Sequence, residues 1–134
     1  MQTKKKIKII FESIHKKLIF PFDEHYLSEV INNLLTNAIN FSWQKSEITI
    51  KVSVTSNNSI RTEIIDSGKG IALEEQAKLF KYFQKTSTKP TGGEPSSGLG
   101  LAIAKKIITE HKGLIGVTSE LNKGSTFYFE LFRD

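Results

Sequence analysis

The sequence contains no cysteine. That excludes a disulfide framework and any thiolate metal site, and it is compatible with a reducing compartment. No apolar run approaches the length of a membrane span, and the basic start "MQTKKKIKII" lacks an apolar segment long enough for a signal peptide. The three prolines fall in "FPFD" and "QKTSTKPTGGEPSS", stretches that read as breaks between elements. No internal repeat and no second domain are visible. What is present suits a folded globular chain: 38% apolar and 25% charged residues over 134 positions, enough for one hydrophobic core. A single domain spanning 1–134 is expected. The net charge of +5 comes from lysines scattered along the chain, with no basic stripe of interleaved aromatics. A solvated, lysine-rich surface is the simplest reading of that distribution, and a small phosphorylated ligand suits the charge at least as well as nucleic acid does.

Hydrophobic periodicity supplies the elements. Lys6 to Phe11 reads as a strand, and after "FPFD" the carboxylate of Asp23 is placed to cap a helix. Leu27, Val30, Ile31, Leu34, Leu35, Ala38 and Phe41 then recur at three- and four-residue spacing, an amphipathic helix. Glu47 to Thr55 and Ile60 to Asp66 alternate at period two around the turn residues "SNNS", which predicts a β-hairpin. The glycine-containing turn "SGKGI" and a short helical piece, "LEEQAKLFKYF", follow. Gln84 to Ser97 has no periodicity and reads as a loop, of a length that in compact domains tends to be functional. A helix over Gly98 to Lys112 and two strands, "GLIGVTSE" and "GSTFYFELF", complete the chain. Strands and helices mix without strict alternation, so the expected fold is α/β: a two-layer sandwich, a mixed sheet covered on one face by helices.

Three stretches carry chemistry. Along the helix that holds "INNLLTNAIN", Glu29 and then Asn33, Asn37 and Asn40 share one face, opposite the leucines and isoleucines. Asparagine is a poor helix former, so four in one helix call for a reason. A carboxamide oxygen is a neutral hard ligand suited to Mg²⁺, and its NH₂ can donate to phosphate or sugar oxygens. A solvated polar face would give the same pattern. In "IIDSGKGI", Asp66 closes a strand ahead of Gly68 and Gly70; the carboxylate can accept from an amino group while the glycines let a ligand approach the main chain. An ordinary Asx turn has this form too. In "SSGLGLAIAKK", Gly98 and Gly100 stand where loop becomes helix. Free N–H groups and the positive helix end there make a phosphate site, with Ser96 and Ser97 adding hydroxyls.

Taken together and in this order, these stretches resemble the ATP-binding catalytic domain of two-component sensor histidine kinases. That domain lies within the wider group holding the Hsp90, gyrase B and MutL ATPases. The matching motifs are "ExxxNLLTNAINFS", "DSGKGI", "LFKYFQK", "SSGLGLAIAKKI" and "NKGSTFYFEL", spanning Glu29 to Leu131. The resemblance implies a Bergerat-type ATP-binding fold, with ATP and Mg²⁺ as cofactors. It implies Asn37 as the Mg²⁺ ligand, Asn33 on phosphate or ribose, Asn40 near a phosphate, and Phe41 against adenine. Asp66 would accept from the adenine amine, with Gly68, Gly70 and Ile71 edging that pocket and Thr126 supporting it. Phe80 and Phe83 would anchor the lid and Lys85 would reach the terminal phosphate. Ser97, Gly98, Leu99, Gly100 and Leu101 would cradle the phosphate chain. Asn33 and Lys85 are the residues implied in the transfer itself.

The departures from the family pattern discriminate among its functions. The hydrolysing ATPases of the group carry a water-activating glutamate where this chain has Asn33, which cannot act as a base. Transfer to a histidine needs no such base, because the imidazole is itself the nucleophile. Asn40 stands where sensor kinases usually have lysine, Lys85 where arginine is frequent, and Ser96 where glycine is frequent. His15, His25 and His111 read as structural, His111 as a cap at a helix C-terminus. None has, in a long helix, the acidic neighbour expected directly after a phosphoacceptor histidine, so the phosphoacceptor is expected on a dimerisation domain absent from this chain.

The expectation is therefore a histidine kinase catalytic domain that passes the γ-phosphoryl group of Mg·ATP to that domain and, through it, to a response regulator. A degenerate nucleotide-binding module and an ATPase of the wider group are the other readings. No nucleic acid, no direct membrane insertion and a monomeric isolated domain are expected. The expected compartment is the cytoplasm, whether or not the parent protein is membrane-anchored.

Overall fold

The computed structural model describes residues 7–13, 22–43, 45–76, 78–80 and 100–132. The chain runs β1 (Lys8–Ser13), α1 (Glu24–Phe41), β2 (Glu47–Val54), β3 (Ser59–Asp66), α2 (Leu73–Gln76), α3 (Gly100–Glu110), β4 (Leu114–Glu120) and β5 (Gly124–Phe132). The five strands form one sheet in the order β1-β2-β3-β5-β4. β1 pairs parallel with β2 and the other pairs are antiparallel, so the sheet is mixed, as expected.

Several boundaries move from their predicted places: α3, expected to Lys112, ends at Glu110, and the ends of β2 and β3 at their turn each shift by one residue. β1 runs Lys8–Ser13 rather than Lys6 to Phe11, because its pairing partners are Glu47 to Val52 of β2 and that ladder sets its extent. The helical piece predicted over Leu73 to Phe83 is helical only over Leu73–Gln76 among the described residues, with a turn at 78–80. Asp23 behaves as predicted: its carboxylate accepts from the backbone N–H of His25 at 2.8 Å and caps α1.

α1 and α3 lie on one face of the sheet, which the alternation in the strands makes apolar. Val30, Leu34, Leu35 and Ala38 of α1 and Leu101, Ala104, Ile107 and Ile108 of α3 meet Ile48, Ile64, Phe127, Phe129 and Leu131 in one core. Full burial of a side chain such as Phe127 is worth about 2–3 kcal/mol of transfer free energy. The opposite face carries Arg61, Glu63, Tyr128 and Glu130. Arg61 binds Glu130 at 2.9 Å and stacks 4.0 Å above the Tyr128 ring. The phenol of Tyr128 in turn covers Gly116, where an added Cβ would meet its oxygen at 2.5 Å.

Candidate nucleotide site at the end of the sheet

The core face turns polar at one end. Asp66 ends β3, opposite Ile48 on one side and Ser125 on the other, and Ser125 stands opposite Ser119 of β4. The carboxyl of Asp66 is 5% exposed. Its Oδ1 accepts from the Gly68 N–H at 2.9 Å, while its Oδ2 is buried with no hydrogen-bond partner. A buried polar atom without a partner costs free energy, so its survival points to a partner supplied from outside. Burial pushes the carboxyl up to about 6, and the backbone N–H groups of Gly68 and Ser125 act against that rise. No charged side chain contributes to the shift. Near neutral pH the group is a partly desolvated acceptor, suited to an amine.

The turn after Asp66 is held at close quarters. A Cβ on Gly68 would stand 1.9 Å from the Phe41 carbonyl oxygen, and the same oxygen accepts from the Lys69 N–H at 3.3 Å. Gly70 has φ +73 and lies against the Glu120 carbonyl, where a Cβ would approach to 2.1 Å. The Asn122 N–H donates to the Lys69 carbonyl at 2.8 Å. Ile71, 1% exposed, donates its N–H to the Ser119 hydroxyl at 2.8 Å. Phe41 itself is 4% exposed, so what α1 offers this turn is its carbonyl.

The amide face of α1 approaches the start of α3. Asn33 and Asn37, one turn apart, are both half-buried, and Asn40 is buried. The Oδ1 of Asn33 lies 3.3 Å from where a Cβ on Gly100 would sit, so the Asn33 amide stands directly beside the start of α3 and a side chain at 100 would press it aside by a few tenths of an ångström. Leu101 is buried beneath, and Phe80 packs half-buried against the core. Among the described residues no group of three or more His, Asp or Glu side chains could cage a metal. Neutral amides fit Mg²⁺ delivered with phosphates, since that ion takes few protein ligands and completes its shell with phosphate and water oxygens.

Of the residues expected at the site, Asn33, Asn37, Asn40 and Phe41 share α1, and Asp66, Gly68, Gly70 and Ile71 share the β3 end and its turn. Lys85, Ser97, Gly98 and Leu99, like Phe83, lie outside the described residues. Thr126 is a correction. It stands opposite Ile65, one residue out of phase with Asp66, so strand alternation aims it at the other face of the sheet. Ser125 occupies the place expected of it. Ser119, Ser125 and Gln76 escaped the sequence reading. The first two carried a signal: each is a polar residue in the inward phase of a strand whose other inward positions are Ile115, Val117, Phe127 and Phe129. Gln76, which donates to the carbonyls of Ile71 at 2.9 Å and Ser119 at 3.1 Å, carried none.

Residues 22–134 match the model of the histidine kinase-, DNA gyrase B- and HSP90-like ATPases. The chain belongs to that family. Among its relatives, the sensor protein SrrB of Staphylococcus aureus is 39% identical over 87% of this chain, which spans only 20% of SrrB. The catalytic domain of the histidine kinase ThkA, in a nucleotide-free form, superimposes with a TM-score of 0.81 at 32% identity, covering 97% of this chain and 81% of that one. Full-length ShkA in complex with AMPPNP gives 0.79 at 28% identity, over 95% of this chain and 26% of that one. Within the family the chain is thus an ATPase domain of the histidine kinase type.

Proposed function

We propose that this domain binds Mg·ATP at the Asp66 end of the sheet and presents the γ-phosphoryl group to a histidine on a separate dimerisation and phosphoacceptor domain. The observation that carries the reading is the buried Asp66 carboxyl, one oxygen fixed by Gly68 and the other unpartnered. It matches the adenine amine, a donor with a hydrogen to spare. The AMPPNP bound to ShkA, a structural relative, supports an adenine nucleotide as the ligand.

In this reading Asp66 fixes the base, and the turn at Gly68, Gly70 and Ile71 forms the wall beside it. Asn33 and Asn37 hold the phosphate end, Asn37 as the Mg²⁺ ligand and Asn33 through its amide. When bound, Mg²⁺ supplies charge neutralisation on the phosphate oxygens. Lys85 adds a cation at the terminal phosphate, and Gly98 to Leu101 offer N–H groups to the phosphate chain. Transfer breaks the bond between the γ-phosphorus and the β–γ bridging oxygen, forms one from phosphorus to an imidazole nitrogen, and leaves ADP. The chain's contribution is positioning and charge, since the nucleophile is the acceptor histidine. Asn33 cannot take a proton from water, which favours transfer over hydrolysis. The parent protein would hold the acceptor domain, act in the cytoplasm, and pass the phosphoryl group to a response regulator.

The test is transfer of label from [γ-³²P]ATP to an added dimerisation and acceptor-histidine domain of a sensor histidine kinase. An acid-labile, alkali-stable product that needs Mg²⁺ supports the reading. Nucleotide binding without labelling would leave a nucleotide-binding module without transfer, and sustained phosphate release by the chain alone would assign it to the hydrolysing branch.

A further inference from the structure

We propose that Ser119 is a positioning residue for base selectivity: it turns the Ser125 hydroxyl so that only lone pairs face the pocket beside Asp66. The inference rests on the nucleotide reading above and deepens it.

Asp66, Ser125 and Ser119 are neighbours in a row across β3, β5 and β4, on the core face of the sheet. The next inward row is Ile64, Phe127 and Val117, all apolar. Ser125 is 4% exposed and Asp66 5%, so hydrogen bonds in this row are not shared freely with water. The Ser119 Oγ has three contacts: the Ile71 N–H at 2.8 Å, the Gly124 carbonyl at 2.9 Å and the Ser125 Oγ at 2.7 Å. A hydroxyl has one hydrogen to give. The Ile71 amide can only donate and the Gly124 carbonyl can only accept. One assignment therefore satisfies all three contacts. Ser119 donates to Gly124 and accepts from both Ile71 and Ser125.

That assignment uses the hydrogen of Ser125. Its oxygen is left with lone pairs alone, next to a carboxylate that also only accepts. Two adjacent acceptors favour a ligand edge carrying an amine, as in adenine. They oppose a carbonyl in the same place, as in guanine, where lone pairs would face lone pairs. The arrangement is braced from the other side. Gln76 ties the carbonyls of Ile71 and Ser119 together, and Gly124, at φ +116, abuts the Asp66 carbonyl, where a Cβ would come within 2.1 Å.

The experiment measures ADP and GDP affinity of the 134-residue chain with Mg²⁺ present, by calorimetric titration. In Ser119→Ala the Ser125 hydroxyl loses its acceptor and turns its hydrogen toward Asp66 or the ligand. ADP then binds more weakly and GDP does not, so the ADP-to-GDP preference falls about tenfold, the effect of one hydrogen bond. Ser119→Thr keeps the hydroxyl and restores the preference. In a Ser125→Ala background the Ser119→Ala change no longer alters the preference, because no hydroxyl remains to turn. Ser119→Cys carries the same expectation at smaller amplitude if alanine weakens the fold, which thermal melts of each variant report. Equal weakening of ADP and GDP by Ser119→Ala, no change in either, or a loss of preference that persists without Ser125 would overturn the inference. A parent chain that binds neither nucleotide overturns the nucleotide reading first, and this assignment with it.

Discussion

Replacing Asp66 by asparagine should make the nucleotide-free protein more stable while removing the group that reads the base. Burial raises the folded-state pKa from 3.8 to about 6, so the folded chain holds this proton more tightly than the unfolded chain does. The associated stability is complete below the unfolded value and is lost as pH rises through the folded one. At about 1.4 kcal/mol per pH unit, the ionised carboxylate costs the fold about 3 kcal/mol at pH 7. Asparagine mimics the protonated acid. Its Oδ1 still accepts from Gly68, and the group in the place of Oδ2 is as unpartnered as an acid O–H would be. Allowing about 1 kcal/mol for fitting an NH₂ where an oxygen sat, the gain at pH 7 is about 2 kcal/mol. For a chain of this size that is about 6 °C in Tm. Thermal melts of parent and variant from pH 4 to 8 are the assay. The variant should melt slightly lower than the parent at about pH 4 and below, cross it near about pH 4.5, and lie increasingly higher up to about pH 6.5. A difference that stays constant across that range, or a variant that melts lower at pH 7.5, would show that burial of the Asp66 charge does not cost the fold stability.

Gly68→Ala should lower stability by about 2–3 kcal/mol, because its Cβ would fall 1.9 Å from the Phe41 carbonyl oxygen; chemical denaturation reads this, and nucleotide affinity should fall with it. Asn37→Ala should change stability by less than about 0.5 kcal/mol, since the side chain is only half-buried. Titration of this variant with ATP should show the Mg²⁺ dependence of binding gone. Arg61→Ala removes the 2.9 Å contact to Glu130 and the stack on Tyr128. It should cost about 1–2 kcal/mol in a denaturation curve and leave nucleotide affinity as it was, because the cluster lies on the other face of the sheet.

The elements were legible because their periods are clean. Leu27 to Phe41 repeats at helical spacing, and Glu47 to Asp66 alternates around a turn whose Asn58 adopts φ 59. The order of strands in the sheet was not legible, since nothing local states that β5 inserts between β3 and β4. At the site, the turn at Asp66 and the amide face of α1 announce themselves through unusual local composition. Thr126 was misplaced because a motif gives the neighbourhood of a residue, while the register of the strand decides its face. Ser119 could have been found by following the alternation of β4 to its end. Gln76 could not, for its bond to Ser119 joins residues 43 apart in the chain. His111 shows the reverse: its expected role at a helix end agrees with its Nδ1, 2.7 Å from the Ile107 carbonyl.

Whether ATP is held at the Asp66 end of the sheet is read by a calorimetric titration of ATP, with Mg²⁺ present, into the parent chain and into Asp66→Asn. The expected result is saturable binding to the parent and affinity at least about tenfold weaker in the variant, the loss of one charge-assisted hydrogen bond to the base. Equal affinity in the two, with the variant folded, would contradict the assignment of this sheet end as the place where ATP is held.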